Sequence, residues 1–194
     1  MKHAIAAIAG TAIIALSLSF ANSADMAHAI LKDTQGKDVG HVEMTPTKGG
    51  VRLRVSLKGV AAGERAFHIQ ETGKCEGPDF KSAGGHFNPG KEKHGGGGVQ
   101  DHGAGTVGLR NQGHAGDMPN LKIPQNGQLT VDIVNAEITL EKGKPNSVFK
   151  AGGTALVIHQ GGDDYKTDPD GAAGERIACG LIMEGGSRTT APKR

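Results

Sequence analysis

Alternation of apolar and polar residues marks several stretches of the chain as strands with one buried face. Residues 51–57 (VRLRVSL) and 129–134 (LTVDIV) follow this pattern, and residues 136–140 (AEITL) behave similarly. Successive side chains of a strand point to opposite faces, so a period of two predicts β-strands. Residues 155–158 (ALVI) form a continuous apolar run, which suits a well-buried strand. Because no stretch beyond the N-terminal segment has a convincing helical period, the sequence predicts an all-β sandwich or barrel.

The first residues of the chain have the pattern of an export signal. Lys2 precedes an uncharged, mostly apolar run over residues 4–20, and the small residues 21–23 (ANS) follow it. A basic start, an apolar stretch and small residues at the cleavage point are the parts of a secretory signal peptide. We therefore predict that residues 1–24 are a cleaved signal peptide.

Removal of this segment leaves residues 25–194 as one mature domain in the periplasm, with no membrane attachment. An uncleaved membrane anchor is the alternative, although the apolar run is short and polar residues interrupt it. An oxidising compartment favours a disulfide between Cys75 and Cys179, the two cysteines of the chain. Two buried free thiols are the alternative in a reducing compartment.

Composition narrows the function only slightly. The formal net charge is +2 over 194 residues, which gives no reason to expect a nucleic-acid partner. Aromatic residues make up 3% of the chain, so aliphatic side chains must form most of the core. The 32 glycines indicate many turns and loops. We expect residues 24–37 and the tail from residue 185 onward to be loosely held.

A long segment between the strand-rich regions carries the candidate chemistry. Residues 73–120 contain four histidines and many glycines but few large apolar residues. A loop of this length in a compact domain is either functional or disordered. Three imidazoles and one carboxylate suit tetrahedral zinc, and this segment offers them in His86, His94, His114 and Asp117. Solvated histidines in a polar loop are the alternative.

A second group of candidate ligands lies in predicted strands. His159 ends the continuous apolar run, and His68 lies in a short apolar stretch. Residues two apart in a strand share a face, so His68 and Gln70 point the same way. Phe67 and Ile69 then point to the apolar side. These histidines are either structural or ligands of a second metal.

Four motifs, in order along the chain, resemble the copper/zinc superoxide dismutase family. They are residues 66–70 (AFHIQ), 84–89 (GGHFNP), 114–117 (HAGD) and 174–180 (GERIACG). The likeness runs from about residue 30 to residue 183. The resemblance implies a Greek-key β-barrel or sandwich of eight strands, with two long functional loops over a metal site. It also implies a zinc ion and a copper ion (Cu²⁺/Cu⁺) in each chain, and the conversion of superoxide to oxygen and hydrogen peroxide.

The resemblance assigns roles to the matched residues. His86 bridges copper and zinc and takes up a proton in the reduced phase of the cycle, and Arg176 draws in and positions superoxide. Asp163 links a copper histidine to a zinc histidine, which fixes the orientation of both rings. Cys75 and Cys179 match the disulfide of the family. The implied zinc ligands are His86, His94, His114 and Asp117, and the implied copper ligands are His68, His86 and His159.

One copper ligand departs from the family pattern. The copper site of the family has His-x-His in the first motif, and here Gln70 stands in place of the second histidine. An amide oxygen is a poorer donor for copper(II) than imidazole. We therefore expect altered copper coordination, a shift toward copper(I), and lowered activity, with Gln70 or water in the fourth copper position.

Three functions remain open at this point. They are a working dismutase of retuned activity, a non-enzymatic copper-binding protein stabilised by zinc, and a descendant that binds zinc alone. The presence of Asp163 and Arg176 beside the remaining histidines favours the dismutase. The sequence leaves open whether the protein is a monomer or a homodimer, and it assigns no role to His28, His41 and His102.

Overall fold

Short β-strands, joined by turns and long loops, make up nearly all of the regular structure. The computed structural model describes residues 26–95, 99–103, 106–109 and 113–185, without the side chains of residues 99–103 and 109. The predicted signal peptide, residues 1–24, lies outside the described residues and stays a prediction. The strands are β1 (Ala27–Asp33), β2 (Asp38–Thr47), β3 (Gly50–Lys58), β4 (Gly63–Arg65), β5 (Phe67–Gln70), β6 (Val99–Gly103), β7 (Thr106–Leu109), β8 (Leu121–Ile123), β9 (Gln128–Asn135), β10 (Ala155–His159), β11 (Arg176–Leu181) and β12 (Met183–Glu184).

The strands form one long sheet and one small one. The long sheet has the order β5-β10-β11-β1-β2-β3-β9-β7-β6, and β12 also pairs with β1. Its pairings are antiparallel except for that of β7 with β9. The small sheet consists of β4 and β8, and an isolated bridge from His68 to Asp117 joins β5 to the residues just before β8. Pairing of β3 with β9 and of β1 with β11 gives the crossed connections of a Greek key. The predicted all-β class is confirmed.

The eight predicted strands are present when β4 and β5, which only Ala66 separates, are counted as one. The other seven are β1, β2, β3, β8, β9, β10 and β11. The remaining strands are short additions. Of these, β6 and β7 pair with each other inside the long loop of residues 73–120, which also contains a 3₁₀ helix (Lys81–Ala83). No helix of the described residues is long and apolar enough to cross a membrane.

The core lies where the predicted strands place it. Strand β3 buries Val51, Leu53 and Val55 and exposes the arginines between them. Strand β10 is buried along its whole length, as its continuous apolar run predicts. The buried side chains of β3, with Leu156 and Ile158 of β10, pack in a cluster with the inward residues of β1 and β5, whereas Ala155 and Val157 pack in a smaller cluster with Phe80 and Cys179. The patterns at residues 51–57, 129–134 and 155–158 therefore identified real strands.

The predicted strand at residues 136–140 is wrong. These residues form bends and irregular structure, apart from an isolated bridge between Thr139 and Ser147. Ile138 and Leu140 are nevertheless buried, which accounts for the alternating pattern. Burial alone produced the period of two here, since the segment has no strand beside it with which to form a ladder.

The expectation that residues 24–37 are loosely held is also wrong for most of the segment. Residues 27–33 are β1, which lies between β11 and β2 near the middle of the sheet. Ala27, Ala29 and Leu31 are fully buried, whereas Ile30 is 47% exposed. Small alanines point inward and a large isoleucine points outward, so hydrophobicity does not reveal the buried face of this strand.

Cys75 and Cys179 form the predicted disulfide, and they are 104 residues apart in the sequence. Cys179 lies in β11, between β10 and β1, whereas Cys75 lies in the loop that follows β5. The bond therefore attaches the beginning of the long loop to the central part of the sheet.

We expect Cys75→Ala combined with Cys179→Ala to lower the free energy of unfolding by about 4 kcal/mol. A cross-link that closes a loop of this length restricts the unfolded chain more than the folded one. Urea unfolding of the metal-stripped protein, with and without both substitutions, measures the difference. A loss below about 1 kcal/mol would contradict a stabilising role for the bond.

Candidate metal centre

Three histidines and one aspartate from the long loop come together. Nδ1 of His86 lies 2.8 Å from Oδ1 of Asp117, and Nδ1 of His94 lies 3.0 Å from Oδ2 of Asp117. Nδ1 of His114 lies 3.3 Å from Nδ1 of His86. One ligand atom from each of the four residues lies within 4.8 Å of the others, and all four residues are buried. The structure thus brings together the whole set of predicted zinc ligands.

A tight turn attaches this group to strand β5. The His114 N–H donates to Oδ2 of Asp117 at 2.9 Å, and the Asp117 N–H donates to the His114 carbonyl at 3.0 Å. Within the turn, the Gly116 carbonyl accepts a hydrogen bond from the Ile69 N–H of β5 at 2.9 Å, and the Gly116 N–H donates to the carbonyl of Phe87, which follows His86, at 2.8 Å. A Cβ on Gly116 would lie 2.3 Å from the Ile69 carbonyl oxygen. Glycine is therefore required where the ligand turn meets the strand.

His68, His86 and His159 form a second group that shares His86 with the first. The ring centroids lie 3.9 Å apart for His68 and His86, and 5.1 Å apart for His68 and His159. Nδ1 of His68 and Nε2 of both other rings are buried without a hydrogen-bond partner among the described residues. Unpaired buried nitrogens are costly, and imidazole nitrogen is a preferred ligand of copper. The three histidines therefore fit a copper ion.

The carboxylate of Asp163 connects the two groups. Its Oδ2 lies 2.8 Å from Nε2 of His68, and its Oδ1 lies 3.0 Å from Nε2 of His94. A carboxylate accepts hydrogen bonds, so each imidazole donates through Nε2. Nδ1 of both rings is then the nitrogen that can bind a metal.

Asn120 holds Asp163 in place, a role that the sequence analysis missed. The Asn120 amide donates to the Asp163 carbonyl at 2.9 Å, and the Asp163 N–H donates to Oδ1 of Asn120 at 2.8 Å. The Tyr165 hydroxyl accepts from the Asn120 N–H at 2.7 Å. Beside this arrangement, a Cβ on Gly171 would lie 2.0 Å from Oδ1 of Asp163. The position of Asn120, three residues after Asp117, was the only sequence signal for it.

Asp168 is another contact that the sequence did not reveal. Its Oδ1 accepts a hydrogen bond from the His94 N–H at 2.8 Å and lies 3.9 Å from Nε2 of His114. Its side chain is half exposed. The loop after β10 thus contacts the predicted zinc ligands, which we call the zinc-type group (His86, His94, His114 and Asp117). It bonds to the backbone of His94 and approaches the ring of His114.

The pKa values of the histidines follow from burial and from the two carboxylates. Burial lowers the pKa of His68 to about 3 and that of His159 to about 4. Burial also opposes protonation of His94, but hydrogen bonds to Asp117 and Asp163 outweigh it and raise its pKa to about 10. Burial works against both carboxylates too, yet hydrogen bonds from histidines hold the pKa of each well below its usual range. His68 and His159 are therefore neutral at pH 7, the form that binds metals.

Arg176 lies beside the group of His68, His86 and His159, which we call the copper-type group. It is the register partner of His159 in the pairing of β10 with β11. Its guanidinium donates to the Phe80 carbonyl at 2.8 Å and to the Gly84 carbonyl at 2.6 Å. The half-buried side chain lines a cleft of about 1010 Å³. These contacts fix a permanent positive charge next to a candidate copper ligand.

Gln70 is buried in the same region. Its side chain has no exposed surface, and neither amide atom has a hydrogen-bond partner within the described ranges. It shares a face of β5 with His68, and an antiparallel bridge pairs its backbone with His86. Residues directly opposite in such a bridge point to the same face. The amide therefore lies next to the copper-type group, where a polar partner would satisfy it.

His28 and His41 lie outside the two groups. His28 is in β1, with Nδ1 2.8 Å from the Gly185 carbonyl oxygen, and His41 is in β2. His102 lies in β6. Neither His28 nor His41 belongs to one of the two groups.

Comparisons with known proteins show the family of this chain. Residues 39–182 match the family model described as copper/zinc superoxide dismutase. The chain is 46% identical over 184 residues to a copper/zinc superoxide dismutase of Aquifex aeolicus, an alignment that covers 94% of this chain and 99% of the relative.

Two solved structures are also similar. A superoxide dismutase-like protein from Bacillus subtilis matches with a TM-score of 0.70 and 35% identity, over 80% of this chain and 97% of that one. The copper/zinc superoxide dismutase of Brucella abortus matches with a TM-score of 0.62 and 25% identity, over 81% of this chain and 99% of that one.

The chain belongs to the copper/zinc superoxide dismutase family. The predicted family, fold and enzyme class are confirmed, and copper and zinc are the cofactors that the family implies. The role of each individual ligand and the effect of Gln70 stay predictions.

The pKa shifts predict how stability of the metal-stripped protein depends on pH. His68 and His159 have lowered pKa values, so below about pH 6.5 the unfolded chain binds protons that the folded chain does not, and stability falls. His94 has a raised pKa, so its contribution is lost as pH rises from about 6.5 toward 10. We expect maximal stability near pH 7, measured by urea unfolding between about pH 5 and pH 9.

A variant separates the two limbs of this profile. His94→Gln is expected to remove most of the alkaline decline and to leave the acid decline. Stability that is constant or rises steadily over the whole range would contradict the proposed charge states.

Proposed function

We propose that the protein is an exported superoxide dismutase with a complete zinc site and a copper site of three imidazoles, retuned and lowered in activity by Gln70. The position of His86 carries the proposal, because this residue belongs to both histidine groups. Its Nδ1 faces Asp117 in the zinc-type group, and its Nε2 is buried without a partner in the described part of the chain. One ring thus presents a nitrogen to each of two metal positions.

In this proposal the zinc-type group is structural. His86, His94, His114 and Asp117 would hold zinc with three nitrogens and one oxygen, a donor set that zinc accepts readily. Binding there would displace the protons that His94 shares with Asp117, and it would fix the orientation of the His86 ring. Zinc would thereby order the long loop, and through the shared residue His86 this loop would hold one side of the copper-type group.

His68, His86 and His159 would hold copper, with Gln70 beside them. When bound, copper supplies the one-electron exchange by which two superoxide anions and two protons become oxygen and hydrogen peroxide. His159 is oriented for this role by the hydrogen bond between its Nδ1 and the Gly174 carbonyl, at 3.0 Å. His68 is oriented by Asp163. Both rings are neutral at pH 7 and therefore ready to bind.

Arg176 and His86 would handle the anion and its proton. Arg176 lines the cleft and is the register partner of His159, and two carbonyls hold its guanidinium, so its charge would attract superoxide and position it. Nε2 of His86 is the buried nitrogen that could carry a proton toward the reduced product.

Gln70 determines how far the site departs from the family's usual copper chemistry. A neutral amide oxygen supports copper(II) less well than imidazole does. Copper(I) binding is weakened less, because two or three imidazoles are enough to hold it. The equilibrium between the two oxidation states of bound copper therefore shifts toward copper(I). The buried and unpaired amide of Gln70 is the observation that favours direct participation in the site. The alternatives are a copper-binding protein without turnover, which the experiment below would identify by bound copper and no dismutation, and a zinc-only protein, which it would identify by zinc without copper.

The same proposal covers location and assembly. Residues 1–24 are removed during export, and the mature chain works in the periplasm, unattached to the membrane, as a monomer or a homodimer. The Cys75–Cys179 bond supports an oxidising compartment. The intact mass of protein recovered from a periplasmic extract tests cleavage, and a chain that retains residues 1–24 would contradict it.

We expect Gln70→His to raise the affinity for copper(II) at least about 10-fold and to raise the dismutation rate per bound copper. The matched control is Gln128→His, which makes the same change at an exposed position in β9. Copper(II) affinity by ligand competition, metal content by elemental analysis and superoxide turnover are measured on all three proteins. The natural protein is expected to bind both metals and to show measurable turnover.

Two outcomes would contradict the proposal in different ways. Zinc without copper in the natural protein, and no turnover until histidine is introduced at position 70, would identify a zinc-only relative. Equal copper(II) affinity and equal turnover in the natural protein and in Gln70→His would show that Gln70 does not retune the site.

A further inference from the structure

Two predicted zinc ligands, His114 and Asp117, are the first and last residues of one four-residue turn. The hydrogen bond from the Asp117 N–H to the His114 carbonyl closes this turn. The peptide group at its centre consists of the Ala115 carbonyl and the Gly116 N–H, which lie in one plane and rotate together. The orientation of this central peptide therefore determines the shape of the turn that carries both ligands.

The side chain of Asn135 holds the carbonyl end of that peptide. Nδ2 of Asn135 donates to the Ala115 carbonyl at 2.8 Å, and Oδ1 of Asn135 accepts from the Glu137 N–H at 2.8 Å. Asn135 is buried, with 6% of its surface exposed. Because the amide nitrogen faces an acceptor and the amide oxygen faces a donor, both halves of the amide are used and its orientation is fixed.

A glycine at the third position makes the turn easy to change. Rotation of the central peptide converts one turn type into another, and the type II turn needs a positive φ at the third residue. Gly116 stands at this position, since a Cβ there would strike strand β5, and glycine adopts a positive φ without steric cost. The turn thus contains no side chain that resists rotation, and the hydrogen bonds to its central peptide must hold it.

Those two hydrogen bonds come from different parts of the fold. The Gly116 N–H donates to the Phe87 carbonyl, which belongs to the same long loop as the ligands. The Asn135 bond comes from β9, whose last residue is Asn135. The backbone of Asn135 pairs with Val51 in β3, and a Cβ on Gly50 would lie 2.2 Å from its carbonyl oxygen. Asn135 therefore connects the turn to a closely packed strand end outside the long loop.

The turn also packs against the end of β9. His114, Asp117 and Asn135 line one cavity of about 20 Å³, which has room for about one water molecule. Little space is available for the turn to move away from the strand. The bond from Oδ1 of Asn135 to the Glu137 N–H turns the chain out of β9 at this point, so the donor is presented at the edge of the strand rather than within a ladder.

We infer that Asn135 is a positioning residue for zinc. It holds the central peptide in the orientation that places His114 and Asp117 beside His86 and His94. The bonds of its side chain among the described residues go to backbone groups, so it acts on the ligands only through the turn. This role rests on the zinc-type group of the proposed function and assigns that group a support from the sheet.

The first test is the zinc affinity of two variants of the mature, disulfide-bonded protein, measured by competition with a chelator. Asn135→Asp keeps the acceptor for Glu137 but loses the donor, and Asn135→Ala loses both. We expect the zinc dissociation constant to rise about 10-fold in Asn135→Ala and at least about 3-fold in Asn135→Asp. An added negative charge alone would attract the cation, so weaker binding in Asn135→Asp identifies the lost hydrogen bond.

Asn126 provides the matched controls. It is exposed, lies just before β9, and its Oδ1 accepts from the Gln128 N–H at 3.0 Å, which is the same local bond that Asn135 makes to Glu137. Asn126→Asp and Asn126→Ala are expected to bind zinc within about twofold of the natural protein.

The second test separates positioning from a contribution to stability alone. Co²⁺ in place of zinc absorbs visible light strongly in a tetrahedral site and weakly when its coordination departs from that geometry. The probe is one equivalent of Co²⁺ in a His159→Ala background, in which the copper-type group lacks one histidine. We expect Asn135→Ala to lower the visible absorption per bound cobalt, and Asn126→Ala to leave it unchanged.

Each contrary result has a distinct meaning. If His114→Ala weakens zinc binding but the Asn135 variants match the Asn126 controls, the positioning role is overturned and the zinc-type group stands. Weaker zinc binding in Asn135→Ala with an unchanged cobalt spectrum would also overturn the positioning role, because it would assign Asn135 to stability alone. Zinc affinity that His114→Ala does not change would overturn the zinc-type group, and with it the proposed function.

Discussion

The carboxylate of Asp163 is the contact on which the geometry of the whole centre depends. It accepts hydrogen bonds from Nε2 of His68 in β5 and from Nε2 of His94 in the long loop. It thereby fixes which nitrogen of each ring can bind a metal. Asn120 holds the backbone of Asp163 from the other side. One buried carboxylate thus joins β5 to the long loop, two elements far apart in the sequence. The ring of His86 belongs to both the zinc-type and the copper-type group and joins them directly.

Gln70 is the position at which the centre departs from the rule that buried polar groups are paired. Its neighbours on β5 follow the expected alternation, with Phe67 and Ile69 in the core and His68 in the centre. Its own amide is buried with neither polar atom bonded within the described residues. A buried, unpaired amide either contacts a bound metal or ligand or destabilises the fold. This is the physical reason to connect Gln70 with copper chemistry rather than with the scaffold.

Sequence predicted the parts of the structure that follow from local pattern or from ordered motifs. The alternation in β3 and the apolar run of β10 identified real strands, and the histidine motifs identified residues that the fold brings together. The alternation at residues 136–140 misled, because burial without strand pairing gives the same period. Strand β1 was missed because its inward positions are largely alanines and its large isoleucine points outward. Contacts such as that of Asn120 with Asp163 depend on the meeting of distant loops, which no local pattern encodes.

The zinc affinity of Asp163→Asn, compared with that of Asp164→Asn, tests this account most directly. Asp164 is the exposed neighbour of Asp163, and it bonds only within its own loop among the described residues. An amide at position 163 would direct its own N–H at one of the two imidazole N–H groups, so we expect the zinc dissociation constant to rise about 10–100-fold. Asp164→Asn should remain within about twofold of the natural protein. Equal zinc affinity in the two variants would contradict the central role of the Asp163 carboxylate.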